Sequence, residues 1–208
     1  MKGLRLFRLA VWAAVFMLGG FLLISTQFPE SQVGRQTIAS GTAKVGGPFS
    51  LLTPAGERID NQSLAGRPYI VFFGFTYCPD ICPTTLFELT DLMADLGPDA
   101  DSVEVLFVTV DPDRDTPAAL SSYMTSFDSR ITALRGSATE TENTLKSFSA
   151  YAKKVPLETG GYTMDHTAGV FLMRPDGGFT GMMDMHEPRE TKLEKLRRLA
   201  RMANTGQG

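Results

Sequence analysis

The apolar and polar positions divide the chain into one long apolar run near the N terminus and a larger region of short, alternating runs. Residues 9–24 carry no charge, and the first charged residue after them is Glu30. A membrane-spanning helix needs roughly 20 apolar residues, and the uncharged stretch 25–28 extends the run to that length. The three basic residues of this region all precede the run, which places the N terminus in the cytoplasm. We therefore predict an N-terminal transmembrane helix, with residues 1–28 as a membrane anchor.

A cleaved signal peptide is the alternative interpretation of this run. No Ala-x-Ala pattern follows it, and it contains no cysteine for lipid attachment, so the pattern favours an uncleaved anchor. Residues 29–42 are polar, rich in Ser, Gln and Thr, and lack an apolar period, as expected of a linker. Both interpretations place the rest of the chain outside the cytoplasm.

Residues 43–204 show the pattern of an α/β domain, and residues 205–208 follow as a short tail. Continuous apolar runs at 69–75 and 103–110 are typical of strands that are buried on both faces of a sheet. Between these runs, apolar residues recur at helical spacing, and Pro83 suits the first turn of the helix that they predict. The apolar residues of this stripe are Leu86, Leu89, Leu92, Met93 and Leu96.

The middle of the domain predicts two further helices with a short strand between them. Thr116 is a suitable N-cap, and Pro117 a suitable first residue, for a helix that runs to about Phe127. A short strand is expected at 131–134 and the second helix at 139–150.

The last third of the domain predicts an antiparallel hairpin and a final amphipathic helix. Residues 153–163 contain one proline and two glycines and are predicted to be a loop. The hairpin is expected to have its arms at 166–173 and 179–185. Parallel crossovers followed by this hairpin predict an α/β fold whose mixed sheet is flanked by helices.

The charge of the domain argues against nucleic acid as a partner. The whole chain has a formal net charge of −3, but residues 9–208 carry 17 basic and 23 acidic side chains. No basic stripe with interleaved aromatic residues is present, and such a stripe is the usual signature of a nucleic-acid interface.

The chain contains only two cysteines, Cys78 and Cys82, directly after the predicted strand 69–75. Four residues apart at the start of a helix, their Cα atoms would be roughly 6 Å apart. That spacing permits a disulfide, and it also permits both sulfurs to bind one metal ion. The start of a helix favours the thiolate, which is the reactive and metal-binding form. A buried, inert pair is the alternative, but activated thiols are typical of this kind of junction.

A third candidate, His166, is expected to face the two cysteines. If its strand runs antiparallel to 69–75, its first residues lie at the same sheet edge as the cysteines. Two thiolates and one imidazole would form a soft site of low coordination number, which favours Cu(I). The preceding Asp165 is a candidate for orienting the imidazole, as carboxylates commonly do beside metal-bound histidines. An ordinary core histidine is the alternative.

Other residues near this edge allow weaker hypotheses. Asp111 and Asp115 follow the parallel strand 103–110. Aspartates at such a position usually stabilise a turn or cap a helix. The alternative is that they support the residues of the site. His186, in a methionine-rich segment, suggests a second copper site. Alternation along a strand splits those ligands between two faces, so core-facing methionines are the favoured interpretation. A zinc site that combines both cysteines with both histidines is a further, remote alternative.

Taken together, three stretches resemble the Sco/SenC family of membrane-anchored, thioredoxin-like copper proteins. They are the Cys-x-x-x-Cys segment 76–83, the Asp-Pro-Asp-Arg-Asp-Thr-Pro segment 111–117, and Asp165-His166 at the start of a strand. The resemblance covers about residues 43–204. It implies that Cys78, Cys82 and His166 are copper ligands. It also favours Asp111 and Asp115 as residues that support those ligands.

The resemblance also implies a function in the assembly of cytochrome c oxidase. The expected role is that of a metallochaperone that carries one copper ion, as Cu(I), Cu(II) or both, to the copper A centre of oxidase subunit II, or that keeps the cysteines of that centre reduced. Subunit II and an upstream copper donor are the expected partners. In a bacterium, the anchor would lie in the inner membrane and the domain in the periplasm. The alternative is a membrane-anchored thiol-disulfide oxidoreductase, which would normally carry Cys-x-x-Cys, and the redox pair Cys78–Cys82 would then act as an enzyme's dithiol.

Overall fold

The computed structural model describes residues 45–205, together with Trp12 and Met17. The chain divides into two compact units, Met1–Gly41 and Thr42–Gly208. In the first unit, Trp12 and Met17 are helical and exposed. The rest of the predicted anchor at 1–28 and the predicted linker at 29–42 lie outside the described residues. Among the residues that are described, none belongs to a helix long and apolar enough to cross a bilayer.

A five-stranded mixed sheet forms the centre of the second unit. Its strands are β3 Tyr69–Gly74, β4 Glu104–Thr109, β5 Ile131–Leu134, β8 Val170–Met173 and β9 Phe179–Met183. They lie in the order β5-β4-β3-β8-β9. Strands β3, β4 and β5 are mutually parallel, whereas β8 is antiparallel to β3 and β9 is antiparallel to β8. The predicted α/β fold with a mixed sheet is confirmed.

The central strand β3 is buried along its whole length, as its continuous apolar sequence predicts. Its parallel partner β4 is aligned so that Phe72 lies opposite Phe107 and Gly74 opposite Thr109. The two strands therefore end at the same edge of the sheet. The loops that follow them, at 75–80 and 110–116, are consequently neighbours in space.

Four α-helices cover the sheet within the described range. They are α1 Ile81–Leu96, α2 Pro117–Met124, α3 Ala138–Ser147 and α4 Arg189–Thr205, and a 3₁₀ helix at Gly97–Ser102 follows α1. The predicted apolar stripe of α1 is buried in full. Thr116 caps α2 as predicted, since its hydroxyl accepts a hydrogen bond from the backbone N–H of Ala119 at 3.2 Å. That helix ends three residues before the predicted Phe127.

Two small antiparallel pairs lie outside the main sheet. Strands β1 Ser50–Leu52 and β2 Arg58–Asp60 form one, and β6 Ala152–Pro156 and β7 Tyr162–His166 form the other.

The second pair corrects two predictions. Residues 153–163 are not simply a loop but most of a hairpin, and His166 ends β7 instead of opening a strand that runs to Met173. The apolar pattern missed this hairpin because most of its side chains are exposed, so no buried stripe marks it. Its proline lies at the end of β6, where the missing N–H is tolerated. The small residues at 167–169 separate the hairpin from β8.

Candidate metal centre

The two cysteines lie where β3 passes into α1. Cys82 is fully buried in the first turn of α1, whereas Cys78 is only partly buried in the preceding loop, and both are free thiols. The backbone N–H of Cys82 points at the Cys78 sulfur, with an N–S distance of 3.3 Å. Cys78 is therefore the more accessible thiol, and its sulfur is held by the backbone of the first turn of α1. The Cys82 thiol lies in the protein interior.

His166 faces this pair from the end of the hairpin. Its Nε2 lies 3.6 Å from the Cys82 sulfur, and its Nδ1 lies 3.0 Å from the backbone carbonyl of Thr167. Because a carbonyl only accepts hydrogen bonds, the contact assigns a proton to Nδ1. The ring also packs edge-on against Phe75, with a centroid distance of 5.7 Å. The fixed ring therefore directs Nε2, the nitrogen available as a ligand, at the thiols.

The arrangement makes the two thiols chemically unequal. The hydrogen bond from the Cys82 side chain lowers the pKa of Cys78 to about 4, with further help from two backbone N–H groups and against the opposing effect of burial. The same hydrogen bond, together with burial, raises the pKa of Cys82 far above its usual range. The pair therefore holds one negative charge, on the exposed sulfur, at neutral pH.

Cys78, Cys82 and His166 are neighbours, but their side chains are not arranged as the ligands of a bound metal ion. Within residues 45–205, no three cysteine, histidine, aspartate or glutamate side chains already have the arrangement of a metal-binding group. The contacts among Cys78, Cys82 and His166 are those of hydrogen bonds. An incoming soft metal ion would have to displace the Cys82 proton, as metals generally do when they bind thiols.

Asp115 anchors the cysteine loop from the neighbouring strand end. Its side chain is fully buried and accepts hydrogen bonds from the Thr76 backbone N–H at 3.1 Å and from the Thr76 hydroxyl at 2.6 Å. The hydroxyl of Thr109 donates to the same carboxylate. Since Thr76 lies two residues before Cys78, this carboxylate fixes the start of the loop that presents the exposed thiol.

Arg114 connects the cysteine loop to the hairpin that carries His166. Its guanidinium carbon lies 3.8 Å from the Tyr162 ring centroid and 4.8 Å from that of Tyr77. It also donates to the Tyr162 carbonyl at 2.8 Å and to the buried Asp111 carboxylate. Asp111 in turn accepts from the Tyr162 hydroxyl at 2.9 Å. This set of contacts, the Arg114 brace, holds the hairpin against the loop.

The structure thus gives both predicted supporting aspartates a definite place, Asp115 under the loop and Asp111 in the brace. Asp165 is exposed, and the partner of the His166 Nδ1 is the Thr167 carbonyl instead of this carboxylate. His186 is exposed and bonded to Asp184 through its own Nδ1.

The sequence did not identify the contacts that Thr76, Arg114 and Tyr162 make around the site. Only Arg114 had a signal in the sequence, because it lies between the candidate residues Asp111 and Asp115.

Fold and site define a class: a thioredoxin-like domain with a dithiol at a strand–helix junction and an imidazole opposite. The family model described as SCO1/SenC matches residues 38–201, and the chain belongs to this family.

The SCO2 homolog of Danio rerio, described as mitochondrial, is 40% identical over 136 residues. The match covers 64% of this chain and 49% of the fish protein, so the chain spans about half the length of this relative.

Solved structures of Sco proteins share the fold. The copper-bound structure of ScoI from Bradyrhizobium japonicum is 43% identical, with a TM-score of 0.70 over 74% of this chain and 99% of that one. BsSco, studied for a disulfide switch and described as a member of the Sco family of cytochrome c oxidase assembly proteins, is 26% identical. Its TM-score is 0.62 over 76% of this chain and 95% of its own.

Proposed function

We propose that the protein is a copper chaperone for cytochrome c oxidase assembly, and that it delivers copper to the copper A centre of subunit II. The observation that carries this proposal is the convergence of Cys78, Cys82 and His166, two of which lie 84 positions apart in sequence. The copper-bound relative from Bradyrhizobium japonicum and the oxidase-assembly family of BsSco support it.

The donor set suits copper as a cargo. Two thiolates and an imidazole are soft ligands that favour Cu(I), and the imidazole also suits Cu(II). One ion per chain is expected at this site, since its three ligands together make a single site of low coordination number. The second thiolate becomes available when the ion displaces the Cys82 proton. The exposed thiolate of Cys78 would capture the ion first, and buried Cys82 would complete the site.

Release would proceed in the reverse order. The partly exposed Cys78 is the ligand that an incoming target thiolate can replace without disturbing the fold. Cys82 and His166 would retain the ion until a second target ligand arrives. Stepwise exchange of this kind keeps the ion bound to protein throughout the transfer.

Thiol-disulfide exchange is the second candidate function, and the low pKa of Cys78 favours it. In that reaction the Cys78 thiolate attacks a target disulfide, forms a mixed disulfide and releases one target thiolate. Cys82 then passes its proton to Nε2 of His166, attacks the Cys78 sulfur and releases the second target thiolate. The target gains two electrons and the protein becomes a disulfide.

A transfer assay tests the proposed function. Protein with reduced thiols is loaded with Cu(I) and mixed anaerobically with the copper-free soluble domain of subunit II, whose cysteines are reduced beforehand. The two proteins are then separated and the copper on each is measured. Copper is expected to move to subunit II from wild-type protein and not from Cys78→Ser/Cys82→Ser. If wild-type protein retains its copper, delivery to subunit II is excluded. If metal-free protein instead reduces oxidised subunit II at a useful rate, the reductase function is the correct one.

The N-terminal segment would fix the location of the protein in the cell. Residues 1–28 would anchor the chain in the bacterial inner membrane, with the N terminus in the cytoplasm. Residues 29–42 would act as a linker to the copper-binding domain at 43–204, which would lie in the periplasm. Residues 205–208 would form a short tail. An upstream periplasmic copper donor would supply the ion. Protease added to spheroplasts should then degrade the domain while the inner membrane stays intact.

A further inference from the structure

A groove of about 500 Å³ lies beside the start of α1. Its lining includes Ile81, which lies between the two cysteines in sequence, and Ala168 and Gly169, which follow His166 closely. The lining also includes the segment Met182–His186 at the end of β9, which we call the methionine wall. The groove therefore joins chain neighbours of the candidate metal centre to the most methionine-rich segment of the domain.

The methionine wall presents soft donor atoms. Met183 is fully buried, whereas Met182 is 39% exposed, so the strand turns the Met182 thioether away from the core. Met185 and His186 extend the wall beyond the strand. Thioether sulfur and imidazole nitrogen are both good ligands for Cu(I), and neither has to lose a proton from a thiol to bind it.

His186 is held in the way that metal-binding histidines usually are. Its Nδ1 lies 2.8 Å from a carboxylate oxygen of Asp184, which also accepts the backbone N–H of His186 at 2.8 Å. A carboxylate on one ring nitrogen fixes the ring and leaves the other nitrogen free to bind a ligand. In His186 the free nitrogen is Nε2.

Gly169 makes room for the Met182 side chain. A Cβ atom at position 169 would lie only 2.2 Å from the terminal methyl carbon of Met182 and 3.8 Å from its sulfur. Any larger residue at 169 would displace the thioether. Since Gly169 is three residues after His166, one short segment contributes both to the candidate metal centre and to the groove.

Two lysines fix the backbone of the methionine wall. Lys195 donates to the carbonyl of Met182 at 2.9 Å, and buried Lys192 donates to that of Met185 at 2.8 Å. Each lysine is also paired with a carboxylate, Lys192 with Glu88 and Lys195 with Glu187. With the lysine charges balanced, Asp184 leaves this end of the groove net negative, which favours a cation.

We propose that Met182, Met185 and His186 form a second, weaker Cu(I) site that receives the ion and passes it along the groove to Cys78 and Cys82. This proposal rests on the proposed copper chaperone function. Neutral thioether and imidazole ligands bind Cu(I) less tightly than thiolates do. Transfer from the groove to the dithiol is therefore downhill.

The test separates the two sites by removing the dithiol. Full-length Cys78→Ser/Cys82→Ser protein is titrated anaerobically with Cu(I) against a chromophoric Cu(I) chelator. Weak binding of one Cu(I) per chain is expected, and adding Met182→Leu and His186→Asn should weaken it about tenfold or more. Met124→Leu, a methionine substitution away from the groove, is the matched control and should leave this binding unchanged. Because His186 is highly exposed, its substitution should not affect folding.

Two results would overturn the groove site. One is the absence of any Cu(I) binding by the dithiol-free protein, and the other is binding that Met182→Leu/His186→Asn leaves unchanged. The same pair of substitutions in wild-type protein should leave the tight site filled at equilibrium but slow its loading. A wild-type protein without tight copper binding would instead disprove the chaperone function, so the two failures are distinguishable.

Discussion

The Nε2 atom of His166 lies 3.6 Å from the sulfur of Cys82, although the residues are 84 positions apart. The contact depends on the antiparallel hairpin β6–β7, which ends at His166, and on the strand β3, which leads into the cysteine loop. Neither element alone brings the two side chains together. The site is therefore sensitive to anything that moves the hairpin relative to the loop.

Replacing the imidazole should weaken copper binding more than it changes the thiols. Losing a residue that only supports a ligand typically costs 10–100-fold in metal affinity, so His166→Ala should lower Cu(II) affinity by about 100-fold or more. A competition titration measures this effect. His186→Ala is the matched control and should leave the tight site intact. Equal Cu(II) affinity in wild-type and His166→Ala proteins would remove His166 from the ligand set.

The pKa of Cys78 predicts the pH dependence of its reactivity. Because this pKa is lowered to about 4, alkylation of the reduced, metal-free protein should stay fast well below the pH at which an ordinary thiol becomes unreactive. The folded state favours the thiolate, so this group stabilises the fold increasingly as pH rises from about 4 towards 9.0.

The variant Cys82→Ala tests the cause of that low pKa. It removes the hydrogen bond that contributes most to the shift, so the alkylation profile should move to higher pH. Rates are measured with iodoacetamide and mass spectrometry across a pH series. An unchanged profile would show that another group stabilises the Cys78 thiolate.

Removing the Asp115 charge should loosen the cysteine loop. Asp115→Asn places an amide among hydrogen-bond donors that need an acceptor, which should cost about 1–3 kcal/mol of unfolding free energy and about tenfold in copper affinity. Urea denaturation and metal competition measure the two effects. Asp113→Asn is the matched control, since its exposed pair with Lys154 is expected to contribute little. Similar losses in both variants would contradict the anchoring role.

The Arg114 brace should need a guanidinium group, not merely a positive charge. Arg114→Lys keeps the charge near Asp111 but loses the planar stacking on Tyr162 and the forked hydrogen bonds. We expect a loss of about 1–2 kcal/mol and a changed Cu(II) electron paramagnetic resonance spectrum, because His166 is no longer held in place. Arg174→Lys, in an exposed pair with Asp176, should change neither. An unchanged spectrum in Arg114→Lys would show that the brace does not position the imidazole.

We expect that position 74 must be a glycine, because the backbone there packs closely against Phe107 and Cys82. A Cβ atom there would lie 2.7 Å from a ring carbon of Phe107 and 3.0 Å from the sulfur of Cys82. Gly74→Ala should therefore cost about 1–3 kcal/mol of unfolding free energy and displace the Cys82 sulfur. Thermal unfolding with and without copper measures both. Stability and copper affinity equal to wild type would show that the packing can relax.

The strands and the helix that carry the cysteines could be predicted from the sequence because they are marked by apolar residues. Buried runs mark β3 and β4, a leucine stripe marks α1, and the cysteines lie where the first run ends. The hairpin could not be found in this way, since its side chains are mostly exposed and its pairing leaves no apolar stripe. The Arg114 brace was equally hidden, because it joins residues 48 positions apart through ring stacking and a backbone carbonyl.

The first coordination shell of bound copper tests the central claim most directly. Reduced protein is loaded anaerobically with substoichiometric Cu(I), so that only the tighter site fills, and examined by X-ray absorption at the copper edge. Two sulfur ligands and one nitrogen ligand are predicted, with the nitrogen lost in His166→Ala. A shell without sulfur, or one that His166→Ala leaves unchanged, would contradict a copper site built from Cys78, Cys82 and His166.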